Sequence, residues 1–243
     1  VQENGAVYLV TEEAQAEALI KRLSLYRLRR AIDITLVPDF HICHLADLES
    51  YQQANAHTLP RNAITAQDER HDSLGLLCLI PETDLPATMQ DTDWQIQRII
   101  SGIPEGVNDL TPNRALMLEA GLHQLAAVDF KKGCYIGQEV TARTHYRGLV
   151  KRRLFPISTH KTALTHGSDI LLTDRIVGKL GSVAQKNDKA VGLASLRLDA
   201  VQQSLDNQKK SGSALLSLED GTSLFLNIPS WMHPLPGFDT AED

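Results

Sequence analysis

The chain has 243 residues, of which 42% are hydrophobic and 22% charged, and its formal net charge is −6. This length supports two or three compact domains with buried cores, and the composition excludes collagen-like and disordered chains. The acidic balance excludes a general attraction to nucleic acid, so any anion site has to be local. Three cysteines, an odd number, argue against a disulfide framework and for a reducing compartment. No apolar run reaches the ~18 residues of a membrane-spanning helix.

These properties predict a monomeric protein of the cytoplasm, with the mitochondrial matrix as the alternative, and no association with membranes. The chain begins without methionine, and Asn4-Gly5 is a strong hairpin turn signal that only three residues precede. Residues 6–10 have the pattern of a strand, whereas the arm before the turn is almost absent. We therefore expect one or more upstream strands to be missing from this sequence.

Residues 1–48 have the pattern of a small α+β unit. Thr11 is a natural N-cap for a helix. The apolar residues of this helix recur at helical spacing at Ala16, Leu19, Ile20 and Leu23. Beyond Tyr26 apolar and polar residues alternate, which predicts a half-buried strand through residues 28–36, and another short strand is predicted through residues 41–45.

Residues 49–150 form a second predicted α+β subdomain. Its first part, residues 49–73, is polar and predicts a linker or long loop, and residues 74–80 predict an apolar strand. Cap, proline and glycine signals predict three helices. These begin at Asp91 or Thr92 and stop at Gly102, run from the cap Thr111 to Gly121, and span residues 138–146.

From residue 151 onward, short β-like runs separated by Gly, Asp and Asn predict a small antiparallel barrel. The runs are residues 154–157, 170–172, 182–184, 190–196, 214–218 and 223–228. A helix is predicted over residues 199–208. The predicted fold class is therefore α+β. Two mixed or antiparallel α+β subdomains, residues 1–48 and 49–150, precede a C-terminal β-barrel over residues 151–235 and an acidic tail over residues 236–243.

Cys134 lies between Gly133 and Gly137 and follows Lys131-Lys132, at the predicted entrance of a short helix. Lysine neighbours and the N–H groups of a helix entrance both stabilise a thiolate, and the glycines leave room for a ligand to approach the sulfur. The other two cysteines, Cys43 and Cys78, have apolar neighbours and fit the simpler role of small buried side chains. Cys134, assisted by Lys132, is therefore the candidate reactive residue.

The octet Lys132 to Glu139 resembles the signature of the YgfZ family. The likeness extends, in order and at matching spacing, to residues 98–106, 119–120, 128–130, 140–143 and 146–148. YgfZ proteins bind folate and support iron–sulfur cluster assembly, and their relatives include mitochondrial cluster-assembly factors. The resemblance implies subdomains of the type found in the glycine-cleavage T-protein, an aminomethyltransferase related to this family.

The resemblance also implies a folate site. Glu119 begins a Glu-Ala-Gly-Leu run similar to that of the T-protein, in which the acid holds the pterin ring of tetrahydrofolate. A carboxylate there accepts two parallel hydrogen bonds from the ring, although a solvated surface glutamate is the simpler interpretation. His123 stands where the family commonly has an acidic residue, and this difference removes a charge beside the pterin site.

Other residues near the cysteine are assigned by the same resemblance. Arg143 and Arg147, four residues apart on the predicted helix, are expected to bind the folate tail carboxylates or to organise the cysteine loop. Gln138 and Glu139 are expected to orient the loop, and Tyr135 belongs to the same cofactor-binding set, although packing is its simpler role. For Lys151, Arg152 and Arg153 we favour a solvated basic surface.

No metal site is predicted. His41, Cys43 and His44 resemble ligands in composition, but successive strand residues point to opposite faces, so the three cannot converge without a bend. No paired Cys-x-x-Cys supports a zinc site.

Three functions follow from these residues. The preferred one is a folate-dependent factor for iron–sulfur cluster assembly or repair, with Cys134 as a thiolate, tetrahydrofolate or a derivative as cofactor, and a cluster bound transiently if at all. Its expected partners are iron–sulfur client or carrier proteins, including enzymes that modify tRNA, whereas direct RNA binding is not expected. The alternatives are a tetrahydrofolate-dependent aminomethyltransferase and a non-catalytic folate-sensing protein, so enzymatic turnover stays open.

Overall fold

The computed structural model describes residues 2–3, 5–47, 59–84, 92–133, 137–161, 163–186 and 189–236. The chain divides into two compact units, residues 1–91 and 92–243. Cys134, Tyr135 and the acidic tail from residue 237 onward lie outside the described residues.

The first unit contains a hairpin, one helix and a three-stranded sheet. Its elements are β1 (Gln2–Glu3), β2 (Ala6–Val7), α1 (Glu13–Tyr26), β3 (Phe40–Leu45), β4 (Ile64–Gln67) and β5 (Leu76–Pro81). Strands β1 and β2 pair antiparallel, with Gln2 opposite Val7, and Gly5 between them has a φ of 79°. This is the hairpin that the Asn-Gly turn predicts.

The sheet of the first unit has the order β3-β5-β4, and both pairings are antiparallel. The central strand β5 buries Cys78, Leu79 and Ile80, which form the best-packed part of the sheet. The strands predicted near residues 41–45 and 74–80 are confirmed. The polar segment predicted as a linker also contains a strand, β4, because its side chains alternate between the two faces of the sheet edge. Strands on both sides of residue 48 therefore share one sheet.

Two predictions in the first unit are wrong. Residues 27–39 form no strand: Leu28 has a left-handed φ of 51°, its side chain is exposed, and the Arg30 N–H donates to the Arg27 carbonyl. The positive φ turns the chain where a strand would have to stay extended. Helix α1 begins at Glu13 with Glu12 at the cap position and without a side-chain capping bond, so Thr11 does not cap it.

The second unit contains four helices and a six-stranded barrel. Its helices are α2 (Thr92–Ile100), α3 (Gly106–Asp109), α4 (Gln138–Tyr146) and α5 (Leu198–Ser211). Its strands are β6 (Arg152–Thr159), β7 (Asp169–Leu172), β8 (Arg175–Lys186), β9 (Lys189–Arg197), β10 (Leu216–Ser217) and β11 (Ser223–Leu226).

The strands close into a barrel with the order β10-β11-β6-β9-β8-β7. The core of the barrel includes Phe155, Ile170, Val177 and Leu196, all fully buried. Each of the six predicted β runs overlaps a barrel strand, and α5 confirms the helix predicted near residues 199–208. The C-terminal barrel and the mixed α+β character are thus confirmed, whereas the T-protein type of the remaining subdomains stays a prediction.

A buried ion pair holds the start of the second unit on the barrel. Asp109, whose side chain is fully buried, accepts hydrogen bonds from Arg98 Nη1 at 2.9 Å and from the Glu105 N–H at 2.9 Å. It also accepts from the Ser182 N–H at 2.7 Å and from Ser182 Oγ at 2.8 Å. Gly181 lies against this carboxylate, and a Cβ there would lie 2.5 Å from Asp109 Oδ1. The network connects α2 and α3 to strand β8.

The helix predicted from Thr111 to Gly121 is wrong, because residues 112–126 form a series of turns. Asn113 and Ala126 adopt positive φ angles of 59° and 56°, and Gly121 has a φ of 73°. Asn113 lies near the start of the predicted helix, where its left-handed conformation interrupts the hydrogen bonding of a continuous helix. Short helix α3, which the sequence did not predict, precedes these turns.

Candidate functional site

Glu119 lies in the turn segment rather than near the end of a helix. Its backbone carbonyl accepts a hydrogen bond of 3.1 Å from the Leu154 N–H on β6. The next residue, Ala120, is buried with Leu154 and Leu193 in a small cluster on the barrel. The position of the Glu119 backbone is therefore fixed by the barrel wall.

Gly121 of the Glu-Ala-Gly run occupies a position that requires glycine. Its φ of 73° is in the left-handed region, and a Cβ would lie 3.2 Å from Arg153 Nη2 and 3.5 Å from the Trp231 ring. This glycine allows the turn to approach two large side chains, so the run has a local structural reason in addition to any ligand role.

The Glu119 side chain lies in an open groove of about 470 Å³. The groove is lined by Glu119, Lys151, Arg152, Arg197, Leu198 and Asp199. Strand pairing places Arg152 directly opposite Arg197, and Arg197 forms hydrogen bonds of 2.9 and 3.0 Å to Asp199. Since Asp199 neutralises Arg197, the cations beside Glu119 that remain for a ligand are Lys151 and Arg152.

The electrostatics of Glu119 reflect this half-buried position. Burial raises the pKa of its carboxyl above the usual value, and attraction to Arg152 opposes part of that increase. A carboxylate with reduced hydration gains more from ligand N–H donors than a fully solvated one does. The groove thus combines one acceptor carboxylate with two cations.

A buried arginine lies next to this groove on the inner side of β6. The Arg153 Nη1 donates to the Met232 carbonyl at 3.1 Å, Nη2 donates to the Gln124 side chain, and the guanidinium lies 5.7 Å from the Trp231 ring centroid. Burial lowers the pKa of Arg153 to about 10. Burial also lowers the pKa of His123 to about 4, with repulsion from Arg153 adding to the effect. The His123 imidazole is therefore neutral at physiological pH.

The residues around the cysteine loop are largely exposed. Gly137, at the N-cap of α4, has a φ of 93°, and the Asp129 carboxylate accepts a hydrogen bond of 2.7 Å from the Lys131 N–H, which turns the chain before the loop. Lys132 is exposed. Because Cys134 and Tyr135 lie outside the described residues, their predicted roles stay predictions.

Helix α4 confirms the element predicted over residues 138–146. Gln138 is half-buried, and Glu139 and Arg143 are exposed. Arg147 is exposed as well and is the residue that follows the helix, where its N–H donates to the Arg143 carbonyl. Among the described residues that line the groove, none comes from α4. The structure therefore does not bring Arg143 or Arg147 to the Glu119 groove.

A cluster of rings joins α4 to the turn segment. His145 stacks on Phe130 with ring centroids 4.0 Å apart, and its ring meets those of His123 and Tyr146 edge-on at 5.8 and 5.1 Å. These contacts fix the helix that follows the cysteine loop against the segment that precedes it. Sequence reasoning did not predict this cluster, because its members are up to 23 residues apart and no periodic pattern connects them.

Comparison with known proteins shows which proteins this chain resembles. Residues 151–234 match the model of the CAF17 C-terminal β-barrel domain. The chain is 32% identical to the mitochondrial iron–sulfur cluster assembly factor IBA57 of Homo sapiens over 229 residues, which cover 88% of this chain and 61% of that protein. The Mus musculus protein of the same name is 32% identical over 225 residues, with the same coverage. The IBA57 homologue of Chaetomium globosum is 33% identical over 187 residues, or 72% of this chain and 43% of that protein.

The chain is thus similar to proteins named IBA57, a more specific likeness than the YgfZ family expected from the signature octet. The chain spans about three fifths of the length of the human and mouse relatives, with 61% of each covered. The matched barrel domain coincides with the six strands that the structure closes into a barrel.

In the described parts of the two units, no three His, Cys, Asp or Glu residues converge in a way that could hold a metal ion. His41 and His44 lie on opposite faces of β3, with His41 3.9 Å from Glu82 and His44 3.8 Å from Asp68. No helix within the described ranges is long and apolar enough to cross a membrane.

The residue that the sequence interpretation missed is Arg152. It was grouped with Lys151 and Arg153 as solvated surface, whereas the three have different environments: Arg153 is fully buried, and Lys151 and Arg152 line the groove beside Glu119. The predicted strand could have shown this difference, because neighbouring side chains of a strand face opposite sides.

Proposed function

We propose that this chain supports the assembly or repair of iron–sulfur clusters. The observation that carries the proposal is the identity of 32% over 88% of the chain to proteins named as iron–sulfur cluster assembly factors. Those relatives are mitochondrial by name, which favours the matrix, the alternative location in the sequence analysis, over the cytoplasm. Its partners are then iron–sulfur client or carrier proteins.

The folate part of the proposal depends on the groove. Glu119 would hold the pterin ring through paired hydrogen bonds, and Lys151 and Arg152 would attract the carboxylates of the folate tail. The residues fit such a ligand, because a half-buried acceptor lies beside two cations in an open groove. When bound, a tetrahydrofolate would supply a one-carbon unit or a reduced pterin. Arg143 and Arg147 are better suited to organising the cysteine loop, since Arg143 lies on α4 and Arg147 directly follows it.

The reactive group of the proposal is Cys134. Lys132 precedes it and is exposed, and the α4 entrance follows it, so positive charge flanks the thiol in the sequence on both sides. Gln138 and Glu139 lie in the first turn of α4, where they can orient the loop. Cys134 as a thiolate would act as a ligand to the iron of a cluster that is held only transiently.

The test of Cys134 uses cells that lack the gene and carry the full-length gene as wild type, Cys134→Ala or Cys43→Ala. The activity of an iron–sulfur enzyme that thiolates tRNA is measured, together with its iron content. Rescue by wild type and Cys43→Ala but not by Cys134→Ala is expected. Equal rescue by all three would reject the thiolate, and failure of the wild type to rescue would reject the assembly role itself.

The folate site is tested by calorimetric titration with 5-formyltetrahydrofolate, a stable reduced folate. Glu119→Gln should weaken binding by about tenfold or more, because a hydrogen bond to a charged group contributes about 1.5–3 kcal/mol. Glu219→Gln, at an exposed position, is the matched control and should bind as wild type does. Equal affinities for Glu119→Gln and the control would remove Glu119 from the site.

A second candidate function, aminomethyl transfer to tetrahydrofolate, is favoured by the Glu-Ala-Gly-Leu run at Glu119. It predicts lipoyl-dependent formation of methylenetetrahydrofolate that persists in Cys134→Ala. Folate binding with neither this activity nor any effect of Cys134→Ala in cells would instead favour the non-catalytic folate-sensing protein.

A further inference from the structure

Two cysteines outside the proposed site face each other in the first unit. Cys43 on β3 is the direct cross-strand partner of Cys78 on the central strand β5. They are 35 residues apart in the sequence, and their apolar neighbours gave no reason to connect them. The alignment of β3 with β5 therefore brings two of the three thiols of the chain together.

The type of pair follows from a hydrogen bond at the end of the same two strands. The Glu82 N–H donates to the Asp39 carbonyl at 2.9 Å, so these residues form a hydrogen-bonded pair. Such pairs recur every second residue in an antiparallel ladder, which makes Cys43 and Cys78 a hydrogen-bonded pair as well. Phe40 opposite Pro81 falls on the alternate, non-hydrogen-bonded position, where the missing proline N–H leaves no gap in this ladder.

The spacing of such a pair permits a disulfide. Cα atoms of a hydrogen-bonded antiparallel pair are about 5.5 Å apart. Disulfides span Cα distances of about 4.4–6.8 Å, with the commonest values near 5.5–6 Å. The Cα spacing expected for Cys43 and Cys78 therefore falls within the range that a disulfide spans.

The side chains are already in contact range. Cys43 Sγ lies 3.6 Å from the Cys78 carbonyl oxygen. A hydrogen bond from the Cys43 side chain lowers the pKa of the Cys78 thiol, although burial acts in the opposite direction. Cys43 is half-buried on the outer strand of the sheet, whereas Cys78 is fully buried. Cys43 is therefore the more accessible residue of the pair, and Cys78 is the less accessible one.

We propose that Cys43 and Cys78 are a redox modification site that forms a reversible disulfide between β3 and β5. The oxidant is a low-molecular-weight disulfide of the glutathione class. The Cys43 thiolate attacks one sulfur of that disulfide, forms a mixed disulfide and releases one small thiol. Cys78 then loses its proton and attacks Cys43 Sγ, which releases the second small thiol. Two protein thiols and one small disulfide become one protein disulfide and two small thiols.

The proposal is independent of Cys134 and of the folate groove, since both cysteines belong to the first unit. The partly exposed position of Cys43 allows reduction by the reverse exchange, and disulfides that are exposed or strained are generally the labile ones. The modification would link β3 to β5 when the surrounding glutathione pool is oxidised and release the two strands when the pool is reduced.

The test is mass spectrometry on the intact chain, incubated with oxidised glutathione, then alkylated and digested with trypsin. Cleavage after Lys and Arg separates the cysteines into peptides 31–61, 71–98 and 133–143. Before alkylation, we expect the intact chain to be lighter by two hydrogen atoms in most molecules. After digestion, peptide 31–61 should be linked to peptide 71–98. Reduced glutathione should reverse the link.

Two variants and the third thiol sharpen this experiment. In Cys134→Ala the link should form unchanged, which separates it from the reactive loop. In Cys43→Ser no link should form, and Cys78 should stay unmodified because it is buried. The proposal is overturned if Cys43 stops at a glutathione adduct, if peptide 133–143 is the one linked, or if both thiols stay reduced in the folded protein.

Discussion

The carboxylate of Asp109 should be one of the main determinants of stability in the second unit. It accepts four hydrogen bonds and pairs with Arg98, and both side chains are almost completely buried, at 0% and 2% exposure. Asp109→Asn keeps the shape but removes the charge, and its amide NH₂ would face a donor. Breaking a buried ion pair costs about 3–5 kcal/mol. Arg98 would keep only the partly exposed Glu105 carboxylate, 3.4 Å from its Nε, as an ionic partner, so we expect a loss near the lower end of this range.

The expected loss converts to a large thermal shift. For units of about 150–250 residues, 1 kcal/mol corresponds to about 2–4 °C in Tm, so Asp109→Asn should lower the Tm by about 6–20 °C. Intrinsic fluorescence measures this unit selectively, because both tryptophans of the chain, Trp94 and Trp231, belong to it.

The matched control is Asp199→Asn, which removes an exposed carboxylate that is also paired with arginine. Exposed pairs contribute about 0–1 kcal/mol, so the control should stay within about 4 °C of the wild type. If Asp109→Asn also unfolds within that range, the buried network does not anchor α2 and α3 to the barrel, and the reasoning fails.

Three further predictions concern the groove and its surroundings. Because burial raises the pKa of Glu119, its ionised form lowers the stability of the fold. Glu119→Gln should therefore raise the Tm at pH 7, and this gain should disappear below pH 4.5, the ordinary pKa of a glutamate. Equal gains at pH 4 and pH 7 would contradict this. Gly121→Ala should lower the Tm through its φ of 73° and its contact with Arg153, more than Gly221→Ala, whose φ is 78° but whose surroundings are open. His123 should titrate near pH 4 by NMR, and stability should fall as pH drops from 6.5 towards 4, whereas a midpoint near 6.5 would show a solvated ring.

The barrel strands are the part of the fold that local sequence patterns predicted best. Five of its six strands are four to twelve residues long, and Gly, Asp or Asn residues separate the apolar runs, so the runs could be predicted without knowing their partners. Helix α4 was equally clear from its glycine boundaries. The helix predicted at Thr111 is wrong because a cap followed by Pro112 also fits a series of turns, and no unambiguous sequence signal marks the left-handed conformation of Asn113.

The candidate site could be predicted only in part from local sequence patterns. Glu119 and the cysteine loop were found from motifs, because their residues are contiguous. Arg152 was missed because its place beside Glu119 depends on β6 packing against the turn segment and pairing with Arg197 on β9. From the sequence alone, a run of three basic residues looks like one charged surface. In a strand, however, neighbouring side chains point to opposite sides.

The sequence by itself determined the class of the fold, the barrel, helix α4 and the likeness to cluster-assembly proteins, since each depends on residues close together in the chain. Only the tertiary structure decided that Glu119 shares a groove with Arg152, that Asp109 lies buried against Ser182, and that Cys43 faces Cys78. These contacts join residues 33 to 73 positions apart. Their physical cause is strand register and side-chain packing, in which a shift of one residue would turn every partner to the opposite face.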